Sequence, residues 1–341
     1  MTGFILRRLL LLPFVALGVS VLIFSLLQFL TPAMRASLYI HDPKQLNALP
    51  DIIRKFHLDR PAYVQYWEWL KQVAHGDLGW SETAREPVAD AIRGYFPATL
   101  ELGAYSFACI LALGIWLGTQ SAVHKDRLLD HVSRFTSISG ASLPTFVWGL
   151  LLLMVFYGHF GWFPPDRLSL AAGLFVRSPG FHPHTGLMTI DALLNRQWWI
   201  FWDAVRHLVL PVATLTYFLT AVLVRITRSS MLETLRTDYV RTARAKGLAQ
   251  RTVVDKHARR NALIPVITLA GLLFVGLLSG VVITETVFNY PGIGRWGVSA
   301  SQQLDIPAVT GFALIFSGLL VLGNLCADVL YALVDPRIRL Q

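Results

Sequence analysis

The sequence is poor in cysteine and in charge. Only two cysteines occur in 341 residues, Cys109 and Cys326, and both lie within apolar runs, so no disulfide framework and no cysteine-based zinc motif is present. Charged residues make up 15% of the chain, whereas 54% of it is apolar and the mean hydropathy is +0.51. This composition excludes an ordinary soluble domain and is typical of a protein that crosses the membrane several times.

Motifs for catalysis are also missing. The chain has no GxxxxGK[ST] phosphate-binding loop, so it cannot by itself be an ATPase of that class. No Ser-His-Asp or paired-carboxylate arrangement can be assembled, because the candidate residues fall on different sides of the predicted membrane. His182 and His184 form the closest histidine pair, but no third ligand lies near them. We therefore predict no catalytic residue, no metal site and no cofactor in this chain, which disfavours a membrane-embedded enzyme.

Long apolar runs are what the chain has in abundance. Six of them are long enough for a helix of about 20 residues to cross a bilayer. They lie at 9–30, 98–118, 136–157, 207–226, 264–283 and 309–330. We predict an all-α polytopic membrane protein with six transmembrane helices. Its parts are an N-terminal anchor helix with an external loop at 1–97, a five-helix core at 98–335 and a cytoplasmic tail at 336–341.

Basic residues are distributed unevenly between the two sides of these spans. The net charge of +9 would suit a nucleic-acid-binding protein, but the chain has no basic domain with interleaved aromatic residues. Short segments on the side of the N-terminus carry sixteen Lys and Arg, whereas longer segments on the other side carry thirteen. Cytoplasmic loops are enriched in Lys and Arg, so we place both termini and the basic loop at 228–262 in the cytoplasm.

The external loops have patterns of their own. Two segments of the first loop have apolar residues at helical spacing, which predicts two amphipathic helices, the second begun by Pro61 and ended by Gly76. The first contains Leu46, Leu49, Ile53 and Phe56, and the second contains Tyr63, Tyr66, Trp67, Leu70 and Val73. The second loop, at 158–206, holds four tryptophans, which fit an interfacial aromatic belt or a docking surface.

The most informative stretch is the polar segment at 238–265, which lies between two apolar runs. Apolar residues recur every fourth position at 231, 235, 239 and 243, which predicts one helix that continues to Gly247. Glycine accepts the left-handed conformation that ends a helix, and Arg244 and Lys246 suit the last turn. A second short helix is predicted over 251–261. The pattern indicates a helix, a glycine turn and a helix on the protein surface, where a partner could bind. The alternative is a basic loop that only orients the chain.

This stretch resembles the coupling loop of the membrane subunits of ABC importers, in the version of the dipeptide and oligopeptide permease family. The matching segments are YVRTARAKGL and HARRNALIPV, with Ala243 and Gly247 at the signature spacing. LDRPAYVQYWEWLKQVAHGDLGWS, FPATLEL, ITETVFNYPGIGRW and DVLYALVDPRIRL also follow the pattern of that family. The chain departs from it at Arg241 and Thr242, in TPAMRA after the first span, and at Ala249, where a helix-capping Ser or Thr is common.

The resemblance implies a permease subunit in a bacterial inner membrane. It implies a heterodimer with a homologous permease, two cytoplasmic ATPases that bind ATP and Mg²⁺, and an external solute-binding protein. The coupling residues would be Asp238, Tyr239, Arg241, Ala243, Lys246, Gly247, His257, Arg260 and Asn261. Ala243 and Tyr239 are expected on the face that contacts the ATPase. Similar permeases carry dipeptides, longer peptides, nickel chelates, glutathione or opines, and an ATPase-independent secondary transporter or channel is the competing class.

Polar residues within or at the edges of the predicted spans are further candidates. They are Glu101, Glu285, Asn324 and Asp328. Charge in hydrocarbon is costly, so each of them has either a translocation role or a structural partner. Arg225 also lies at the edge of a span, where its side chain can extend to the cytoplasmic surface.

The asymmetry of Lys and Arg predicts which loops a membrane-impermeant thiol reagent can reach from outside. A cysteine at Ser81 or Ser178 should react in intact cells, whereas one at Thr237 should react only after the membrane is opened. The unsubstituted chain, whose cysteines lie in apolar runs, serves as the background. The reverse labelling pattern would contradict the orientation.

Overall fold

The fold is almost wholly helical in the part of the chain that the structure describes. The computed structural model describes residues 13–15, 17–25, 28–37, 49–55, 58–278 and 281–334. A two-stranded hairpin is the only sheet within these ranges. The predicted all-α class is confirmed, whereas the tail at 336–341 lies outside the described residues.

Four helices lie in the described residues of the N-terminal part. They are α1 (Pro13–Ser25, apart from residue 16), α2 (Pro32–Ser37), α3 (Leu49–Lys55) and α4 (Ala62–Ala74). The predicted second amphipathic helix is confirmed as α4, because Pro61 precedes it and Gly76 follows with a φ of +82°. Tyr66 of α4 packs edge-on against Phe24 of α1 with ring centroids 5.2 Å apart. Of the residues predicted for the first amphipathic helix, Leu46 and Phe56 lie outside the described ranges.

A small hairpin joins the first external loop to the last helix. Its strands, β1 (Trp80–Ser81) and β2 (Glu86–Pro87), pair antiparallel. Asp305 accepts hydrogen bonds from the Ser81 hydroxyl at 2.7 Å and from the Thr83 N–H at 2.9 Å. Ser81 is therefore fully buried, and our expectation that a cysteine at this position would react with a soluble reagent is wrong. The neighbouring Glu82 is exposed and provides the better labelling position.

Two long helices form the centre of the bundle. They are α5 (Val88–Val123) and α10 (Trp198–Thr234), and their pairing is the most extensive in the structure. Leu102 and Ile110 of α5 meet Leu215 and Leu223 of α10 in the main apolar core. Each helix contains an apolar stretch long enough to cross a membrane. Both correspond to predicted spans and extend beyond them at each end.

The remaining helices complete the bundle around this pair. They are α6 (Leu128–Ser142), α7 (Thr145–Leu152), α8 (Leu170–Val176), α9 (Met188–Leu194), α11 (Asp238–Ala245), α12 (Gln250–Thr252), α13 (Arg259–Ala262), α14 (Ile264–Leu278), α15 (Val282–Val287), α16 (Ile293–Gln302) and α17 (Ile306–Val334). Within the described ranges, three single helices are long and apolar enough to cross a membrane, and up to five spans result if two bent pairs count as one span each. The predicted number of six spans stays a prediction.

The predicted span at 136–157 is not one straight helix. It is divided between α6 and α7, and α7 continues as a π-helix over Leu153–His159. The two parts meet at an angle of 106°. Leu143 precedes Pro144 and adopts an extended conformation, with φ of −91° and ψ of 132°. Proline disfavours the helical region for the residue before it, which explains the break.

Two glycines set the distance between α5 and α10. A Cβ atom at Gly114 would lie 2.5 Å from a Leu223 methyl carbon, and one at Gly118 would lie 2.5 Å from the Thr227 Cβ. Gly114 and Gly118 are four residues apart and share one face of α5. Small residues at this spacing let the backbones of membrane helices approach closely.

We expect Gly118→Ala to separate α5 from α10. The added methyl group has no space, and overpacking of this kind costs about 1–3 kcal/mol. The midpoint of thermal unfolding in detergent should therefore fall. Gly94→Ala is the matched control, because a Cβ at Gly94 on the same helix would meet nothing within 4 Å. Equal melting of the two variants would contradict the close approach.

Candidate functional site

The polar segment after α10 forms two short helical parts. Helix α10 ends at Thr234, and α11 begins at Asp238 after a turn. Our prediction of one helix from residue 231 to Gly247 is therefore wrong. The Thr237 hydroxyl donates to the Thr234 carbonyl oxygen at 2.6 Å, and such a bond competes with the helical hydrogen bonds at this point. Met231 consequently lies on α10 and not on the helix that carries Tyr239.

Gly247 ends α11 in the predicted way. Its φ is +76°, in the left-handed region. The N–H of Leu248 donates to the Ala243 carbonyl at 3.4 Å, and the N–H of Gly247 donates to the Arg244 carbonyl at 2.9 Å. These two bonds form a Schellman motif, which satisfies carbonyl groups at a helix end. No atom lies within 4 Å of a Cβ built at Gly247, so the backbone angle alone requires glycine here.

The second part is helical from residue 250 to residue 262. It consists of α12, a π-helix at Val253–Ala258 and α13, which confirms the predicted second helix over 251–261. Its N-cap is Ala249, which makes no side-chain capping bond. The helix axis turns by 54° between Ala262 and the start of α14. We refer to residues 238–262 as the coupling segment.

The coupling segment has an apolar core of its own. Val240 and Ala243 of α11 pack against Val253 and Ala258 of the second part, and Met231 of α10 lies in the same cluster. Ala243 is only 5% exposed. It therefore fills the core of the segment, and our expectation that it lies on an outward face with Tyr239 is wrong. Packing in this cluster holds the two helical parts together and sets the angle between them.

The polar side chains of the segment point outward. Asp238, Arg241, Lys246 and Arg260 are exposed, and His257 is half-buried. In addition, the amide of Asn261 donates to the Tyr239 hydroxyl at 2.9 Å, which joins the two helical parts, and Tyr239 itself is 43% exposed. The segment is thus a rigid, mainly basic surface next to the end of α10.

Glu101 lies in a buried polar cluster on the opposite half of α5. Its Oε2 accepts from the Arg167 guanidinium at 2.6 and 3.1 Å, and its Oε1 accepts from the N–H and hydroxyl of Thr189, both at 2.7 Å. The Tyr290 hydroxyl also donates to Oε2, at 3.4 Å. Burial raises the pKa of Tyr290 above its ordinary value, so this hydroxyl keeps its proton. Arg167 and Thr189 belong to the loop at 158–206, which is predicted to be external, and the cluster attaches this loop to α5.

Glu285 lies in a second buried cluster nearby. It accepts from the Thr99 hydroxyl at 2.6 Å and from the Arg295 N–H at 2.8 Å, and Thr99 in turn accepts from the Ile293 N–H at 2.8 Å. The pKa of Glu285 lies above its usual range because burial disfavours the charged carboxylate, and these hydrogen bonds partly oppose that effect. A Cβ at Gly292 would overlap the carboxyl group, so the chain must have glycine there to wrap closely around it.

The other two polar candidates lie on α17. Asn324 is half-buried. Asp328 lies in the helical backbone of α17, but its side chain is outside the described part of the chain. The structure therefore brings two of the four polar candidates, Glu101 and Glu285, together around α5. Neither Asn324 nor any residue of the coupling segment contacts these two carboxylates through a hydrogen bond in the described part of the chain.

Sequence reasoning missed the partners of the two carboxylates. Arg167, Thr189 and Tyr290 are 66, 88 and 189 residues away from Glu101, so no local pattern could connect them. FPATLEL contains both Thr99 and Glu101. The signal available in the sequence was this pair of polar residues inside an otherwise apolar run, which indicates that both need polar partners.

An apolar cavity lies between α10, α14 and α15. Its volume is about 420 Å³, and Leu215, Leu273, Gly276, Val282 and Thr284 are among the residues that line it. Hydrophobic side chains dominate the walls, so this cavity offers no charged group to a ligand.

Comparisons with known proteins cover the whole chain. The family described as "Binding-protein-dependent transport system inner membrane component" matches residues 110–340. A companion description, "Binding-prot-dependent transport system membrane comp, N-term", matches residues 1–103. The two matches together include both carboxylate clusters and the coupling segment.

Several curated proteins are similar over nearly their full length. The di/tripeptide transport system permease protein of Pseudomonas aeruginosa strain UCBPP-PA14 is 42% identical over 345 residues, covering 100% of each chain. The probable D,D-dipeptide transport system permease protein of Escherichia coli K12 is 42% identical over 325 residues, covering 95% of this chain and 94% of the relative. The oligopeptide transport system permease protein of Bacillus subtilis 168 is 38% identical, covering 99% and 100%.

The buried ion pair of Glu101 and Arg167 should be sensitive to loss of one charge. Their side chains are 1% and 13% exposed, so Glu101→Gln leaves a buried guanidinium without its counter-charge. We expect the free energy of unfolding to fall by about 3–5 kcal/mol. Thermal unfolding of the purified protein in detergent measures the change.

Asp90→Asn is the control for this variant. Asp90 lies on the same helix and pairs with Arg93 at 3.0 Å, but the side chains are 53% and 79% exposed. An exposed pair contributes about 0–1 kcal/mol, so this change should be nearly silent. If Glu101→Gln unfolds at the same temperature as Asp90→Asn, the cluster does not hold the external loop.

Proposed function

Because the chain belongs to the family of binding-protein-dependent transport system inner membrane components, we propose that it forms one half of a peptide-translocation pathway driven by partner ATPases. Its own role is that of the membrane permease, not of an enzyme. The observation that carries the coupling part of the proposal is the construction of residues 238–262. Two helical parts meet at a left-handed glycine over a shared apolar core, directly after the long helix α10.

The coupling segment is suited to transmit force. An ATPase that binds its exposed residues would move both helical parts together, because Val240, Ala243 and Val253 are buried between them. Met231 belongs to the same cluster, so the movement would reach α10 without a flexible link. The exposed residues Tyr239, Arg241 and Lys246 are then contact residues, whereas Ala243 and Gly247 set the shape of the surface.

The proposed assembly contains a second, homologous permease subunit, two ATPases and an external solute-binding protein. ATP and Mg²⁺ would bind to the ATPases. The family description itself names dependence on a binding protein. The uneven distribution of Lys and Arg supports an orientation with both termini and the coupling segment in the cytoplasm. Substrate would then enter from the side of the loop at 158–206.

Short peptides are the substrate class that we propose. The relatives that resemble the chain over nearly all of its length are named as permeases for dipeptides, D,D-dipeptides, di- and tripeptides or oligopeptides. Nickel chelates, glutathione and opines are not favoured by these names. Uptake of a labelled dipeptide by cells that contain the chain with its partners tests the proposal, and ATP-independent uptake would favour a secondary transporter.

Gly247→Val should uncouple the permease from its ATPases. Valine at a φ of +76° costs about 1–2 kcal/mol or forces the second helical part into a new angle. No steric clash is added, because the space around the Cβ position is empty. We expect normal insertion in the membrane, together with a large loss of ATPase copurification and of peptide uptake.

Two further variants make this experiment specific. Gly76→Val places the same strain at the end of α4, where φ is +82° and no atom lies within 4 Å, and it should leave ATPase copurification intact. A variant with five basic residues of the coupling segment changed to Gln tests whether charge alone matters. The changed residues are Arg241, Arg244, Lys246, Arg259 and Arg260. A fully active Gly247→Val permease would overturn the coupling role.

A further inference from the structure

A second cavity lies between α6 and α10, near the end of α10 that leads into the coupling segment. Its volume is about 370 Å³. Most of its exposed wall is apolar, but six of the eight residues that line it are polar or basic. Three arginines and three serines supply these groups. They are Arg134, Arg225, Arg228, Ser133, Ser137 and Ser229.

The charges around this cavity do not cancel. Asp130 is fully buried and pairs with Arg228 at 2.7 Å, and it lies 3.6 Å from Arg134. Arg134 also lies 3.7 Å from Asp126. Arg225, by contrast, makes no ion pair with any residue in the described ranges. Arg134 and Arg228 thus share Asp130 and Asp126, Lys125 also lies 3.6 Å from Asp126, and Arg225 adds a further charge, which leaves a net positive charge for a ligand.

A buried hydroxyl group adds a second, independent indication. Ser133 is only 3% exposed, and its Oγ has no hydrogen-bond partner among the described residues. Most buried polar groups are hydrogen-bonded, and one that is not requires an explanation. Ser133 is among the residues that line the cavity, and its Oγ is itself buried, so a rotation of the side chain would present the hydroxyl to a polar atom placed there. A basic cavity with a free hydroxyl donor fits an oxyanion.

The surface beside the cavity is apolar. Leu128, Val132, Phe135 and Ile138 of α6 are 79%, 52%, 73% and 62% exposed. Their spacing of three and four residues places them along one side of the helix. A small soluble anion would make no use of this face. A ligand with an anionic head and a hydrocarbon tail would cover both features.

We propose that this cavity binds the phosphate group of an anionic phospholipid, whose acyl chains lie along the exposed apolar face of α6. Basic pockets between transmembrane helices are known to suit such headgroups. Arg225 and the Ser133 hydroxyl contact the phosphate, while Asp130 holds Arg228 in place beside it. The lipid belongs to the cytoplasmic leaflet if the proposed orientation is correct. The site itself follows from the cavity and not from that orientation.

Native mass spectrometry of the assembled transporter in detergent tests the site. The lipid probe is dioleoyl phosphatidylglycerol, with dioleoyl phosphatidylcholine as the uncharged reference. Ser133→Ala together with Arg225→Gln should weaken retention of phosphatidylglycerol by about fivefold or more, as expected for loss of one basic residue and one hydrogen-bond donor. Retention of phosphatidylcholine should not change. Arg225 is chosen over Arg228 because its loss does not leave Asp130 unpaired.

Two control variants distinguish a specific lipid-binding site from general electrostatic attraction of anionic lipid to a basic protein. Arg251→Gln removes one positive charge from a side chain that is 94% exposed in the coupling segment, and Ser142→Ala removes a hydroxyl from the exposed end of α6. Neither should affect lipid retention. Equal weakening by these controls would overturn the proposal.

Two other outcomes would also contradict it. If glycerol phosphate or inorganic phosphate displaces the lipid at equal concentration, the cavity is a site for a soluble anion. If phosphatidylglycerol binds to the isolated chain but not to the assembled transporter, the face of α6 is an interface with the second permease. Unchanged melting of the double variant confirms that any loss of lipid does not come from unfolding.

Discussion

Burial of carboxylates in an apolar bundle is the constraint on which the rest of the structure depends. Glu101 and Glu285 can remain inside only because every carboxylate oxygen accepts at least one hydrogen bond. The donors come from α5, from the loop at 158–206, from Tyr290 and from the first turn of α16. Glu101 of α5 and Glu285 of α15 therefore fix the position of segments that are far apart in sequence. Polar groups hold the half of the bundle around Glu101 and Glu285, whereas small apolar residues hold the end that contains residues 238–262.

The contrast between the two ends has a functional consequence. Buried, fully bonded charges resist rearrangement, because breaking a partner leaves an uncompensated charge. The packing of Ala243 and Val253 is less directional, so the coupling segment keeps its shape mainly through volume and through the backbone angle of Gly247. Its polar residues are free to contact a partner. The shape of the segment therefore depends mainly on groups other than those that recognition needs, and Tyr239, which also binds Asn261, is the exception.

Local signals in the sequence were sufficient for some elements and insufficient for others. Pro61 and Gly76 mark the ends of α4, and Gly247 marks the end of α11, because each acts on its own backbone. The break between α10 and α11 after Thr234 could not be predicted, because apolar residues keep their helical spacing across it. The burial of Ala243 and the pairing of Glu101 with Arg167 could not be predicted either, because both depend on which distant segments pack together.

Helix α10 connects the two ends of the molecule. Its 37 residues would span about 55 Å as a straight helix. Near its start, Asp203 accepts from the Ser169 N–H at 2.8 Å, and Arg206 donates to the Gly161 carbonyl at 2.7 Å. Its other end continues into the coupling segment.

The two bends of the bundle lie in segments next to α10, and neither of them interrupts the contact between α10 and α5. The chain turns by 106° between α6 and α7 and by 54° between the coupling segment and α14. Gly118 meanwhile keeps α5 and α10 in close contact. In the proposed function, a displacement of the coupling segment would therefore act on α10 and α5 together, and the loop at 158–206 would follow because its Arg167 binds Glu101 of α5.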